Sequence, residues 1–151
     1  MDLEVNSDDF VEAIFLSNMN ICLDKRGIVF VTYLAGSIID VKDKKEEKDA
    51  IMRITKGIKH PFLFSYESMV TVTKEANEFS IQVELEQPFL AIVILVDNFA
   101  YQLLADFYLR FYKPKVPYKV FKDETKAIEW LTDFKKNSEK VNSQSDNNSY
   151  Q

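Results

Sequence analysis

His60 is the only histidine in the chain and Cys22 the only cysteine, so chemistry that needs an imidazole or a thiolate has a single residue of each kind to use. A nucleophile, a base and a group that orients the base must lie within hydrogen-bond reach of one another. His60 stands directly before Pro61 at the entry to an apolar run, which reads as a loop residue without such companions. Zinc or two-metal chemistry fails on ligand supply, since neither a CxxC nor an HExxH spacing occurs. The glycines Gly27, Gly36 and Gly57 are scattered and build neither GxGxxG nor a phosphate loop. The residues therefore point to no catalytic group, no metal and no cofactor. Cys22 falls in a β-type apolar segment and reads as a small, half-buried core residue.

Binding and switching leave more candidates. Open α/β sheets gather ligands beyond the carboxyl ends of their parallel strands, and the strands derived below end in Ser65-Tyr66-Glu67, Asp97-Asn98 and Lys122-Asp123. Ser65, Tyr66, Glu67, Asp97 and Asn98 are thus the candidate ligand-edge residues. Asn98 and Asp123 also precede helical segments, where their side chains suit an N-cap, and Glu67 and Asp97 read equally as solvated loop acids. Thr73, ahead of Lys74-Glu75-Ala76, is a further N-cap with an acid in the first turn. Residues 42–49 are charged at every position, four lysines against four acids, and read as a solvated helix face.

The elements that would position these groups follow from period and punctuation. Segments 12–23 and 28–34 are apolar and β-branched, separated by Asp24-Lys25-Arg26-Gly27, and read as a hairpin. Ala50, Ile51, Ile54 and Ile58 then recur at helical spacing, with Gly57 placed for a C-cap. Residues 61–64 read as a strand, and the unbroken apolar run 90–96 as a strand buried on both faces of a parallel sheet. Between them, Phe79, Ile81, Val83 and Leu85 alternate with polar residues at a strand period. Parallel neighbours require a crossover, so residues 73–86 are expected to be helical despite that alternation. A third helix over 98–112 collects Ala100, Leu103, Leu104, Phe107, Tyr108 and Phe111 on one face, with Asp106 and Arg110 opposite. Pro114 and Pro117 end it and hold the linker extended; residues 118–121 form a short strand, and Ala127, Trp130, Leu131 and Phe134 mark the inner face of a fourth helix. Pro114, Pro117, Phe121 and Trp130 are the expected structural anchors, with Trp130→Ala expected to cost about 3 to 5 kcal/mol. The aromatics Phe99, Tyr101, Phe107, Tyr108, Phe111 and Tyr112 exceed what one helix face can bury, so some must meet a groove, a partner or solvent.

At 151 residues and 46% hydrophobic, the chain can fill one core. The expected organisation is a flexible, acid-rich stretch over 1–9, one α/β domain over 10–136, and a disordered polar tail over 137–151. With 24 acidic against 19 basic residues and a net charge of −5, the surface disfavours nucleic acid. The apolar run 89–96 is less than half of a membrane span, so no insertion is expected, and the lone cysteine with no leader-like start reads as cytoplasmic.

At residue level, Gly27-Ile28-Val29-Phe30-Val31, then Val72-Thr73-Lys74-Glu75-Ala76, then Asp106-Phe107-Tyr108-Leu109 with Lys113-Pro114-Lys115-Val116-Pro117, and finally Val120-Phe121 with Ala127, Trp130 and Leu131 resemble a family of small bacterial STAS/SpoIIAA-like proteins of unknown function. The likeness runs in order over residues 19–136. It implies a single STAS/SpoIIAA-like domain: a mixed sheet with an N-terminal β-hairpin, parallel strands and about four helices. In the anti-sigma-factor antagonists of that fold, a phosphorylatable Ser or Thr starts the helix after the central strand, and Thr73 is the topological match. Here Val72 precedes it and Lys74-Glu75 follow, where the antagonists carry an Asp before and small residues after. Two function classes remain open. One is a non-catalytic regulatory or protein-interaction module, read by an unknown protein partner at the hairpin edge or around Thr73 and compatible with a homodimer. The other is a carrier or sensor of a small apolar ligand held between the aromatic third helix and the sheet, which would need an apolar cavity of about 300 Å3 or more.

Overall fold

The structure is a computed structural model that describes residues 9–148, with side chains described to residue 141. A six-stranded mixed sheet runs in the order β1 (Phe10–Phe15), β2 (Met19–Asp24), β3 (Val29–Tyr33), β5 (His60–Tyr66), β7 (Phe89–Leu95), β8 (Tyr118–Phe121). The first three strands pair antiparallel and the last four parallel. The helices are α1 (Val41–Thr55), α2 (Lys74–Gln82), α3 (Phe99–Tyr112) and α4 (Glu124–Asn148). Two-residue strands β4 (Ile38–Ile39) and β6 (Thr71–Val72) form a separate parallel pair, too short to announce itself by period.

Strand alternation sorts the core into two layers. Val29, Val31, Tyr33, Phe62, Phe64 and Ile92 face Ala50, Ile51 and Ile54 of α1. Phe30, Leu63, Ala91, Val93 and Leu95 face Ala127 and Leu131 of α4. Both faces of β5 and β7 are therefore covered, which is why their sequences are unbroken apolar runs. Within α4, Ala127 and Leu131 are fully buried, whereas Trp130 is half-buried and packs beside Phe121 and Phe134 at centroid distances of 6.1 and 5.5 Å. The anchor of this helix is accordingly Leu131. Leu131→Ala should lower the unfolding free energy by about 3 kcal/mol and Trp130→Ala by about 2 kcal/mol, read from urea midpoints; a larger loss at Trp130 would reverse that order.

Three expectations change. Segment 12–23 is two strands rather than one: the chain turns at residues 16–18, closed by Leu16 N–H donating to the Met19 carbonyl at 2.9 Å. The turn uses Ser17-Asn18, with no glycine or proline to flag it. Residues 137–148, expected as part of a disordered tail, continue α4 as helix, since lengthening an existing helix needs no new nucleus. The rest of that tail, 149–151, and residues 1–8 of the expected flexible start lie outside the described residues. Ile58 falls beyond the end of α1 and is exposed, because the helix stops at Lys56 and Gly57 in left-handed backbone.

Residues 73–86 are helical as topology required. α2 is capped by Thr73, followed by a 3-10 turn over Glu84–Glu86. The alternating apolar residues are dispersed accordingly: Val83 is buried, Phe79 half-buried, Ile81 and Leu85 exposed.

Candidate functional site

Tyr33 closes β3, and α1 begins just above it with a capping box in which Asp40 accepts from Asp43 N at 2.9 Å and Asp43 accepts from Asp40 N at 3.1 Å. This fixes the rotation of α1 and sends Asp43 and Glu47 inward. Glu47, 3% exposed, accepts the Tyr33 phenol, and Lys44 Nζ donates to the Tyr33 oxygen at 2.6 Å and lies 3.4 Å from Glu47 Oε2. The ammonium also sits 4.9 Å from the Tyr33 ring centre. Burial first, and the Glu47 carboxylate second, push Tyr33 well above the usual phenol range. The reading of 42–49 as a solvated face fails for this half of the helix. The inward stripe Ala50, Ile51, Ile54, continued back at helical spacing, passes through Glu47 and Asp43, so the signal was present in the sequence as position rather than residue type.

This cluster forms one end of a cavity of about 120 Å3 between α1, α2, α3 and the sheet, with Phe64, Phe89 and Ile94 as its apolar floor. Tyr108, Leu109 and Tyr112 of α3 cover it. Tyr66 and Tyr118 add phenols, both raised, chiefly by burial, with nearby acids contributing. Glu84, also on the wall, is buried and its Oε1 accepts from Lys115 N at 3.1 Å and Val116 N at 3.0 Å. It thereby clamps the linker between α3 and β8, where Pro114 and Pro117 flank the only two donors that segment offers. Glu84 lies in a stretch of mixed period and gave no sequence signal of this role.

The sequence-derived edge residues are only partly brought together. Tyr66 lines the cavity and packs on Tyr33 at 5.1 Å. Ser65 Oγ shares a hydrogen bond with Thr32 Oγ1 at 3.1 Å, and Glu67 accepts from Ala35 N at 3.0 Å, tying two loops. Asn98 caps α3 through Tyr101 N at 2.9 Å, and Asp97 is exposed beside it. Thr73 Oγ1 accepts from Ala76 N at 3.1 Å. His60 sits at the start of β5, its Nδ1 3.1 Å from the Lys59 carbonyl and its pKa lowered by burial and then by Lys135. Burial raises the Cys22 thiol, which disfavours its thiolate. Among the described residues no group of three or more His, Cys, Asp or Glu could hold a metal, and no helix is long and apolar enough to cross a membrane.

The expected apolar face of α3 points outward. Leu103, Leu104, Phe107 and Phe111 are exposed, Phe107 at 69% and Phe111 at 74%, and no residue of the helix is fully buried. The side turned to the sheet carries Leu109 and Tyr112 together with Tyr108, the one member of the expected face that turns inward, so the helix is apolar nearly all round.

An antiparallel meander leading into three parallel crossover steps, with α1 and α4 on opposite faces, is a SpoIIAA-like α/β fold. In agreement, the chain resembles in structure an uncharacterised protein of the DUF3478 family with a SpoIIAA-like fold from Shewanella loihica PV-4. The TM-score is 0.58 at 13% identity, covering 80% of this chain and 98% of that one. The chain belongs to the family described as domain of unknown function DUF7793, whose model matches residues 21–135. No curated protein matches it.

Proposed function

We propose that this protein is a non-catalytic SpoIIAA-like regulatory or interaction module whose docking surface is the outer face of α3. The observation that carries this reading is the exposed row Leu103, Leu104, Phe107 and Phe111. Single exposed apolar residues are ordinary, but a contiguous row of large ones on one helix marks an interaction surface. Cations outnumber acids along the helix and the strand that follows it: Arg110, Lys113, Lys115 and Lys119 are exposed and Lys122 lies 5.7 Å from the Phe99 ring, against the one acid Asp106. A second copy would bring the same excess of positive charge against this one. The occupant favoured by charge is a different protein, with an apolar patch bordered by acids. The cavity beneath α3 lies where a carried apolar ligand would sit, but at about 120 Å3 it is well below the 300 Å3 or so at which such sites begin.

A photoreactive amino acid at position 107 should crosslink one protein in the native cell, with a yield that falls as salt rises. Phe107→Glu should abolish the complex and leave the melting temperature within about 2 °C, since an exposed substitution costs little. A monomer with no adduct overturns the reading, as does loss of the protein adduct in favour of sedimentation with vesicles of phosphatidylserine and phosphatidylcholine.

Thr73 is the proposed switch of this module. Its hydroxyl stands at the start of α2 on a half-exposed residue, where a phosphate would meet free backbone N–H groups and the positive end of the helix. Asp is itself a good N-cap, so Thr73→Asp should keep the melting temperature while changing the yield of the position-107 adduct. An unchanged yield leaves Thr73 as a cap alone.

A further inference from the structure

Six aromatic rings line the cavity under α3: Phe64, Tyr66, Phe89, Tyr108, Tyr112 and Tyr118. Aromatic rings attract a cation through their quadrupole, and the attraction grows where water is excluded. One cation already uses this wall, since Lys44 Nζ lies 4.9 Å from the ring centre of Tyr33 and 5.9 Å from that of Phe64. Among the described residues no cation lies over the rings of Tyr66, Phe89, Tyr108, Tyr112 or Tyr118. The charged groups on the wall are Glu47, Glu84 and Lys44, two carboxylates to one ammonium. Lys44 is shared between Glu47 and the Tyr33 oxygen. Glu84 accepts only from the backbone N–H groups of Lys115 and Val116, and its charge meets no ion pair among the described residues. The phenols respond to these charges: after burial, Glu84 contributes most to the raised pKa of Tyr118 and Glu47 to that of Tyr66. An anion could use the phenol donors, but it would enter against that negative field.

Size sets how much of a cation can enter. A trimethylammonium head with its first methylene has about five non-hydrogen atoms, one fewer than benzene, which an apolar cavity of about 150 Å3 admits. The space here, about 120 Å3, fits that head and no longer body. Tyr66 and Tyr112 line the cavity and are 37% and 40% exposed, so its mouth lies beside them. We infer that the cavity under α3 is an aromatic cage for a methylated ammonium, which inserts its quaternary head among the rings and leaves the rest of the molecule outside the mouth. A quaternary head has no N–H, so it is held by the rings and by the unpaired charge of Glu84 and leaves the hydrogen bonds of the wall as they are. The cage is separate from the docking face, because Phe107 does not line it.

Choline and 3,3-dimethylbutan-1-ol test it, being equal in shape and differing in a charged nitrogen for a carbon. In titrations followed by amide chemical shifts, choline should perturb residues around Phe64, Phe89 and Tyr108 and bind at least tenfold more tightly than the alcohol. Tyr108→Phe keeps a ring and should keep that preference. Tyr108→Leu keeps apolar bulk without a ring and should reduce it about fivefold. Glu84→Gln, which can still accept from the linker, should weaken choline severalfold and leave the alcohol unchanged. A short peptide containing trimethyllysine carries the same head, and whichever of it and choline binds more tightly identifies the source of the head. Equal binding of choline and the alcohol overturns the inference, as does absence of binding by both choline and the peptide at millimolar concentrations, or binding of acetate in their place. A choline preference unchanged in both Tyr108→Leu and Glu84→Gln overturns it equally, because neither ring nor charge would then be holding the head.

Discussion

Glu47→Ala should lower the unfolding free energy by about 3 kcal/mol, among the largest losses available from one polar substitution in this chain. Glu47 is nearly fully buried, accepts the Tyr33 phenol and pairs with Lys44. Truncating it leaves an ammonium and a phenol facing a void. Breaking a buried pair from one side costs about 3 to 5 kcal/mol because a charge remains without its partner. Lys44 keeps 11% of its side-chain exposure and can swing toward water, which places the expected loss at the low end. Tyr33→Phe removes two hydrogen bonds, the one donated to Glu47 and the one accepted from Lys44, and leaves the ion pair whole, so about 2 kcal/mol is expected. Lys44→Met with Glu47→Leu and Tyr33→Phe replaces the whole cluster by apolar groups of similar volume and should come within about 1 kcal/mol of the natural protein, since the desolvation of both charges disappears and no buried hydroxyl is left without a partner. Urea midpoints at constant slope would measure all three. If Glu47→Ala cost no more than Tyr33→Phe, the three groups would not be acting as a unit.

The same cluster shows what the sequence revealed and what it withheld. Strands β5 and β7 were legible because burial on both faces leaves an unbroken apolar run. The helical nature of residues 73–86 was legible only through topology, since the local period pointed the other way. Residues 42–49 misled because composition describes residue type and burial depends on position: Asp43 and Glu47 occupy the inward stripe of α1 whatever their charge. In α3 the expected apolar face turned outward except at Tyr108, because a pattern carries no direction and with nearly every residue apolar the sheet could take either side. The edge residues were placed by a rule about strand ends. That rule brought Tyr66 to the cavity, while Asn98 is used as a cap and Glu67 as a loop tie.

Glu84→Ala should loosen α3 more than any other element. One oxygen of Glu84 accepts two backbone N–H groups, from Lys115 and Val116, and Val116 is buried. Hydrogen bonds to a charged acceptor contribute about 1.5 to 3 kcal/mol, and here the freed donors lie between prolines in a segment that cannot fold back into α3 to satisfy them. A global loss of about 2 to 3 kcal/mol is expected. The more specific consequence is local. α3 buries no residue completely and ends in left-handed backbone at Lys113, so its attachment depends on the linker that Glu84 holds. Amide exchange in α3 should therefore accelerate beyond what the global loss accounts for, while β2 and β3 follow the global loss alone. Glu84→Gln separates charge from acceptance: an amide oxygen has two lone pairs and can still take both N–H groups, so about 1 kcal/mol should be lost and α3 protection largely kept. Equal losses for alanine and glutamine would show that the charge of Glu84, rather than its position as an acceptor, holds the linker, and unchanged exchange in α3 would show that the helix is held by its contacts with β8 alone.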